Sequence, residues 1–248
     1  MHRLLSELLR FAELEYTVFR ASAPRELKEM VVPCGGERPA DYYAVDSGYV
    51  VRRVGEVDVL VQSLVAVGRD VRRKFVVQRV GARPHETARL NEIAFAESID
   101  AGIILVDGPL TPYVSKTRVV GVSKDPRLGR YGPRIPDAAR RGAFTKVSRA
   151  LGERRAAALL LADAPPGSYL EPVDLGHLHG TYIKSDFVLY VELPKSMPVD
   201  RVCSLLARYP VRLRLAHYLA RISRNYLKTL RYVMSRLLRE ELPPGPIL

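Results

Sequence analysis

Three Val- and Tyr-rich runs follow one another in the first third of the chain, and they limit its fold more than any other feature. YYAVDSGYVVRRV, VDVLVQSLVAVG and VRRKFVVQRVG occupy residues 42–81, with Gly55 and Gly68 standing between them. β-Branched and aromatic side chains suit a pleated, half-buried surface, and glycine between such runs marks tight turns. The reading is an antiparallel meander. Pro84 then opens a helix that runs to about Ile99. AGIILVDGP and RVVGVSK read as two short strands, the first buried. A helix near Asp137–Leu151, a strand near Ala156–Leu161 and one bent strand in TYIKSDFVLYVELP come next. A short helix over about Val199–Ala207 and, past Pro210, a long helix to about Arg239 complete the order. This is an α/β chain, a mixed sheet with helices packed on it.

The 248 residues read as a single domain. Residues 1–40 form an N-terminal helical extension, with Leu4, Leu8 and Phe11 at helical spacing, 41–200 the core, and 201–248 the C-terminal helices. The longest clean apolar run, Ala156–Ala162, is far short of the roughly 20 residues that span a membrane. Glu7, Glu13 and Glu15 interrupt the leucines of the N-terminus, unlike a secretory signal. We expect a cytoplasmic protein with no membrane partner. Cys34 and Cys203 form no metal-spacing pair and lie far apart, so neither a structural zinc site nor a disulfide framework is expected.

Lys+Arg outnumber Asp+Glu by 39 to 27, a formal charge of +12, and 31 of the 39 cations are arginine. Arginine meets phosphate through a planar two-pronged donor set, so this bias favours a nucleic-acid partner over a general thermal or genomic preference. Asp46 stands inside an apolar, Tyr-rich run, where an ionised carboxylate needs a cation or several hydrogen bonds. An exposed strand face, or a bulge at Ser47-Gly48, is the plainer alternative. Asp107 ends IILVD just before Gly108-Pro109, at the carboxyl end of a strand, where α/β sheets gather ligands. Two such carboxylates suit a divalent-cation phosphodiesterase site. The intervening helix offers Glu86, Glu92 and Glu97, and periodicity does not choose among them.

In the C-terminal helix, Leu215, Leu219, Ile222, Tyr226, Leu230, Val233 and Leu237 share one face at about 100° per residue. His217, Arg221, Arg224, Lys228 and Arg231 share the other. Residues 201–248 carry 10 Lys+Arg against 2 acids, which suits a phosphate track as well as a solvated helix side. His177 and His179 have no carboxylate or cysteine nearby in sequence and read as ordinary polar histidines.

Taken in order, AVDSG, the Glu-bearing helix, IILVDGPL, VVGVSK, YVELP and YPVRLRLAH resemble the NurA nucleases of archaea and some bacteria. Tyr209-Pro210, Leu213 and Ala216-His217 carry the most specific match, to the family's YPxxLxxAH. The resemblance implies an RNase H-like core and a Mn²⁺-dependent nuclease, with Mg²⁺ as a substitute, acting 5′ to 3′ on single- and double-stranded DNA ends. It further implies a homodimer and a HerA-type hexameric ATPase as partner in end resection, the first step of homologous-recombination repair. By motif, Asp46, Glu92, Asp107 and His217 are the implied metal ligands. Tyr209 completes the site, and Lys124, just beyond the VVGVS strand, is a candidate to position the scissile phosphate. Arg221, Arg224, Lys228 and Arg231 are the candidate DNA contacts. One difference stands out: the family's first motif usually reads Asp-Gly-Ser, and here it is Asp46-Ser47-Gly48. A non-catalytic DNA-binding partner of a translocase and an RNA-processing nuclease remain the alternatives.

Overall fold

The three Val-rich runs hydrogen-bond to one another in chain order, and the rest of the sheet grows from the first of them. In a computed structural model, which describes residues 24–37, 39, 41–54, 56–114, 117–124, 129–223, 225, 226 and 228, the meander is β2 (Tyr43–Val54), β3 (Val57–Val67) and β4 (Val71–Val80). It follows a short helix α1 (Arg25–Lys28) and strand β1 (Val31–Val32). Helix α2 (Pro84–Glu97) leads to β5 (Ile104–Asp107) and β6 (Val120–Ser123). Both run parallel to β2, giving the order β4-β3-β2-β5-β6. Antiparallel β10 (Val188–Pro194) and β9 (Leu178–Lys184) extend the sheet beyond β6. β7 (Tyr169–Leu170) and β1 follow, while β8 (Val173–Asp174) pairs with β9 off that path. The mixed α/β sheet expected from the sequence is present, with the order of an RNase H-like core.

Helices cover both faces. On one, Ile93 and Ala96 of α2 pack with Tyr43, Val45, Ala66, Ile104 and Val106. On the other, α5 (Asp200–Leu206) and α6 (Val211–Ala220) meet Ala44, Leu105, Val120 and Val122 through Val202, Leu206 and Leu213. β3 lies between α2 and α6 and is buried on both faces from Leu60 to Val67, which explains its near-continuous apolar sequence.

Three local expectations are corrected. Residues Glu153–Leu160 form helix α4, not a strand, directly after α3 (Ala138–Leu151). A short apolar run does not distinguish a strand from a buried helix, and alanine and leucine have high helix propensity. TYIKSDFVLYVELP is a hairpin of β9 and β10 rather than one bent strand; Ser185 N donates to Phe187 O across its turn. Cys34 and Cys203 are disulfide-bonded with a Cα–Cα distance of 5.9 Å, although 169 residues separate them. Sequence distance gave no sign of this pairing. Leu4, Leu8 and Phe11 lie outside the described residues. Among the described residues, no helix is long and apolar enough to cross a membrane.

Candidate active site

The parallel register brings the two aspartates together. Tyr43, Ala44 and Val45 of β2 pair with Ile104, Leu105 and Val106 of β5, so the next residues along the two strands are Asp46 and Asp107. Side chains alternate along a strand, so both carboxylates leave the sheet on the face that carries α6. Strand β2 runs unbroken through Asp46-Ser47-Gly48, every residue from Ala44 to Val54 having its partner on β3. There is no bulge. Ser47 points to the opposite face, where its hydroxyl accepts from Gln62 Nε2, which also donates to Ala88 O of α2. Gly48 is required by sterics, because a Cβ there would lie 2.4 Å from Ala220 O. A side chain at this position would push α6 off the sheet.

That close approach delivers His217. Its Nδ1 lies 2.6 Å from Asp46 Oδ2 and 4.0 Å from Asp107 Oδ2. Ligand atoms of Asp46, Asp107 and His217 all fall within 4.8 Å of one another. The packed face of α6 is Leu213, Ala216 and Ala220, with Ala216 and Ala220 against Val65 and Val67, whereas Leu215 is 41% exposed. This corrects the helical faces expected from the sequence. Helix α6 ends at Ala220 and residues 221–223 are not helical, so a single 100° phase does not extend past this point. His217 flanks the packed small-residue face instead of heading a solvent-side stripe.

Of the three helix glutamates, Glu92 alone is buried. Glu86 pairs with Arg83, and Glu97 accepts from Thr117 Oγ1 at 2.6 Å. Burial pushes the Glu92 carboxyl up to about 8; the Arg89 cation opposes this, and the Asp46 and Asp107 charges reinforce it. Arg89 was not singled out from the sequence. It is ion-paired with Glu92 and donates to the carbonyls of Asp107, Gly108 and Pro109, tying α2 to the end of β5. Its place three residues before Glu92 on a helix is the one sequence signal that pointed to it. Asp107 is also shifted upward, first by burial and then by the Asp46 charge, with Lys124 and His217 opposing.

Lys124 Nζ stands 4.0 Å from Asp107 Oδ2 and 4.6 Å from the centre of the Tyr209 ring. Tyr209 is buried and stacks on Phe187, and its hydroxyl is buried with no hydrogen-bond partner among the described residues. Burial, then the charges of Asp107 and Asp46, push that phenol above its ordinary value. A carboxylate pair, an imidazole and an orphaned hydroxyl together form a donor set fit for a hard divalent cation and its water. Arg221 is exposed just beyond α6 and Lys228 is exposed, while Arg224 and Arg231 lie outside the described residues.

A family model, the NurA domain, matches residues 40–222. This chain belongs to the NurA family. It is therefore a nuclease, a hydrolase of phosphodiester bonds. Among solved structures, NurA bound to dAMP and manganese covers 98% of this chain and 97% of its own, at 12% identity and a TM-score of 0.55. NurA with manganese covers 99% and 100% at 11% identity and 0.54. The NurA nuclease from Sulfolobus solfataricus covers 99% and 100% at 14% identity, with a TM-score of 0.49. At these identities the likeness is one of fold. No curated protein sequence matches the chain.

Proposed function

We propose that this NurA protein is a divalent-cation-dependent DNA nuclease that uses Mn²⁺, with Mg²⁺ as a substitute. The observation that carries the reading is the convergence of Asp46, Asp107 and His217 within 4.8 Å, where β5 ends at Asp107 beside the parallel strand β2. A bound divalent cation would supply Lewis acidity and a water of lowered pKa. Asp46 and Asp107 would hold it, and Glu92 stands behind them as the further carboxylate. His217 Nδ1, the ring nitrogen that faces both carboxylates, would ligate the cation or move a proton. Lys124, 4.0 Å from Asp107, would hold a non-bridging oxygen of the scissile phosphate, and the Tyr209 hydroxyl would donate to the same centre. Arg221, Arg224, Lys228 and Arg231 would contact flanking phosphates.

The related structure with dAMP and manganese supports DNA and Mn²⁺ as ligands. Family membership supports the finer reading. That reading is 5′ to 3′ exonuclease action with single-strand endonuclease activity, in a homodimer working with a HerA-type hexameric translocase in end resection. The presence of three ligand-type groups in one cluster favours catalysis over a purely DNA-binding role.

The test is cleavage of 5′- and 3′-labelled single- and double-stranded DNA with Mn²⁺, Mg²⁺ or EDTA. We expect Mn²⁺-dependent hydrolysis with 5′ label released first. Asp46→Asn and Asp107→Ala should abolish it while DNA binding persists, because an amide or methyl is a poor ligand for a hard cation. Near wild-type cleavage by Asp107→Ala with Mn²⁺ present would defeat the two-carboxylate site.

A further inference from the structure

We propose that a cleft beside the C-terminal end of α6 is a base-stacking subsite, so that the substrate enters as an unpaired strand next to the scissile phosphate. The inference rests on the nuclease reading above and narrows its substrate.

The sheet register locates the cleft. Asp46 pairs with Val65 and Val65 with Arg73; two residues along, Gly48 pairs with Ser63 and Ser63 with Phe75. Paired residues share a face, so Arg73 and Phe75 project on the same side as Asp46. Two inter-strand spacings across and two residues along place the Phe75 Cα about 12 Å from that of Asp46. That is about one or two nucleotides of extended backbone from the metal-ligand cluster.

The lining has the chemistry of a nucleic-acid strand's complement. The cleft has a volume of about 440 Å³ and is walled by Ser63, Arg73, Phe75, Tyr218, Arg221 and Tyr226 among others, with no carboxylate among the described residues of its lining. Phe75 is 45% exposed and Tyr218 68% exposed, large apolar areas that the core does not use. Phe75 and Tyr226 already stack, 5.2 Å apart and 16° from parallel, which presents a flat aromatic surface. Arg73 donates to Leu219 O and so ties the last turn of α6 to the sheet. Arg221 lies exposed at the rim. Any base can stack on an aromatic face, and guanidinium groups donate to the phosphates between the bases. Bases inside a duplex are stacked on their own neighbours and offer no free face. Only an unpaired strand fits.

The test measures binding by the full chain in EDTA, using fluorescence anisotropy of a labelled oligothymidylate and an abasic strand of equal length. The wild type should bind the thymine strand about 10-fold tighter or more, the scale of one or two stacked bases. Phe75→Leu with Tyr218→Leu should bring the thymine strand down to the abasic level. Phe75→Tyr and Tyr218→Phe should keep the preference, because stacking needs the ring and not the hydroxyl. Both positions are exposed, and a melting curve checks that the leucine variant is folded. If that folded variant keeps the wild-type preference, or the wild type does not distinguish the two strands, the subsite is overturned. A leucine variant that changes oligomeric state and leaves strand preference intact would make the cleft a contact between copies, and the proposal falls. Wild-type hydrolysis of thymidine 5′-(p-nitrophenyl phosphate) with Mn²⁺ tests the nuclease reading separately, since that ester is too short to reach the cleft.

Discussion

Two groups of buried and half-buried carboxylates in this protein are treated in opposite ways. Glu192, on β10, has no exposed surface and is saturated: the backbone N–H groups of Leu110 and Thr111, the Thr111 hydroxyl and the Arg130 guanidinium all donate to it. Glu153 accepts from the N–H groups of Arg130, Tyr131 and Gly132 and from the Tyr182 hydroxyl. Asp46, Asp107 and Glu92 instead crowd one another, and burial with mutual repulsion drives Glu92 and Asp107 upward. The first group holds loops in place; Glu192 fixes the loop that follows Asp107. The second has Arg89 on Glu92 and Lys124 4.0 Å from Asp107, yet these cations do not offset burial and repulsion, the state a site built for a further cation requires. Satisfaction within the fold marks structure, and deficit marks function.

The largest effect expected from this contrast is on stability. Glu192→Gln should destabilise the protein by about 3–5 kcal/mol, because it removes the charge that Arg130 and two backbone donors are arranged around. Asp107→Asn should do the reverse in metal-free buffer, raising the melting temperature by about 2–4 °C as repulsion with Asp46 is relieved. Thermal denaturation in EDTA checks both. Equal destabilisation by the two substitutions would erase the distinction.

Much of this arrangement was legible before the structure. The meander, α2, β5 and β6 follow from alternation, proline and glycine, and Asp46 and Asp107 stood out as acids in apolar runs. The register that sets them side by side is a pairing of residues 61 apart, which local pattern does not encode. Glu92 could not be separated from Glu86 and Glu97, because their environments depend on which side of α2 meets the sheet. Arg89 and Glu192 carry no such signal, because many of their partners are backbone groups that only folding brings near. The α6 faces were misjudged for a related reason. The helix seats on two alanines because Gly48 permits close approach, so bulk gave the wrong side.

A second, intermediate effect concerns pH. Glu92 titrates near 4.5 when unperturbed and is raised to about 8 in the folded chain. The folded state therefore binds this proton more tightly than the unfolded state does. The associated stability is fully present below about pH 4.5 and is lost as pH rises through about 8. Metal-free protein should melt progressively lower between those limits, and Asp107 acts in the same direction. Glu92→Gln should flatten the decline. Mn²⁺ should raise the melting temperature more at pH 8.5 than at pH 5.5, since the cation stabilises the ionised cluster. A metal-free melting temperature that climbs steadily from pH 5 to pH 8.5 would contradict the crowding described above.

The smallest effect extends the contrast to cations. Arg89 and Arg130 are consumed inside the fold, by Glu92 and three carbonyls in one case and by Glu192 and Thr111 in the other. Arg221 and Lys228 are exposed, the condition of groups available to a polyanion. If they meet phosphates, each releases counterions when a strand binds, and Arg221→Ala or Lys228→Ala should lower the log–log salt slope by about 0.7 for single-stranded DNA. The decrement should be the same for unrelated sequences, because phosphates carry no base information. Phe75→Leu with Tyr218→Leu should weaken binding without changing that slope, because stacking releases no counterions. Affinity titrations from low to high salt separate the two contributions. An Arg221→Ala protein with an unchanged slope would return that side chain to the ordinary solvated surface and leave the aromatic cleft to account for strand capture beside the carboxylates.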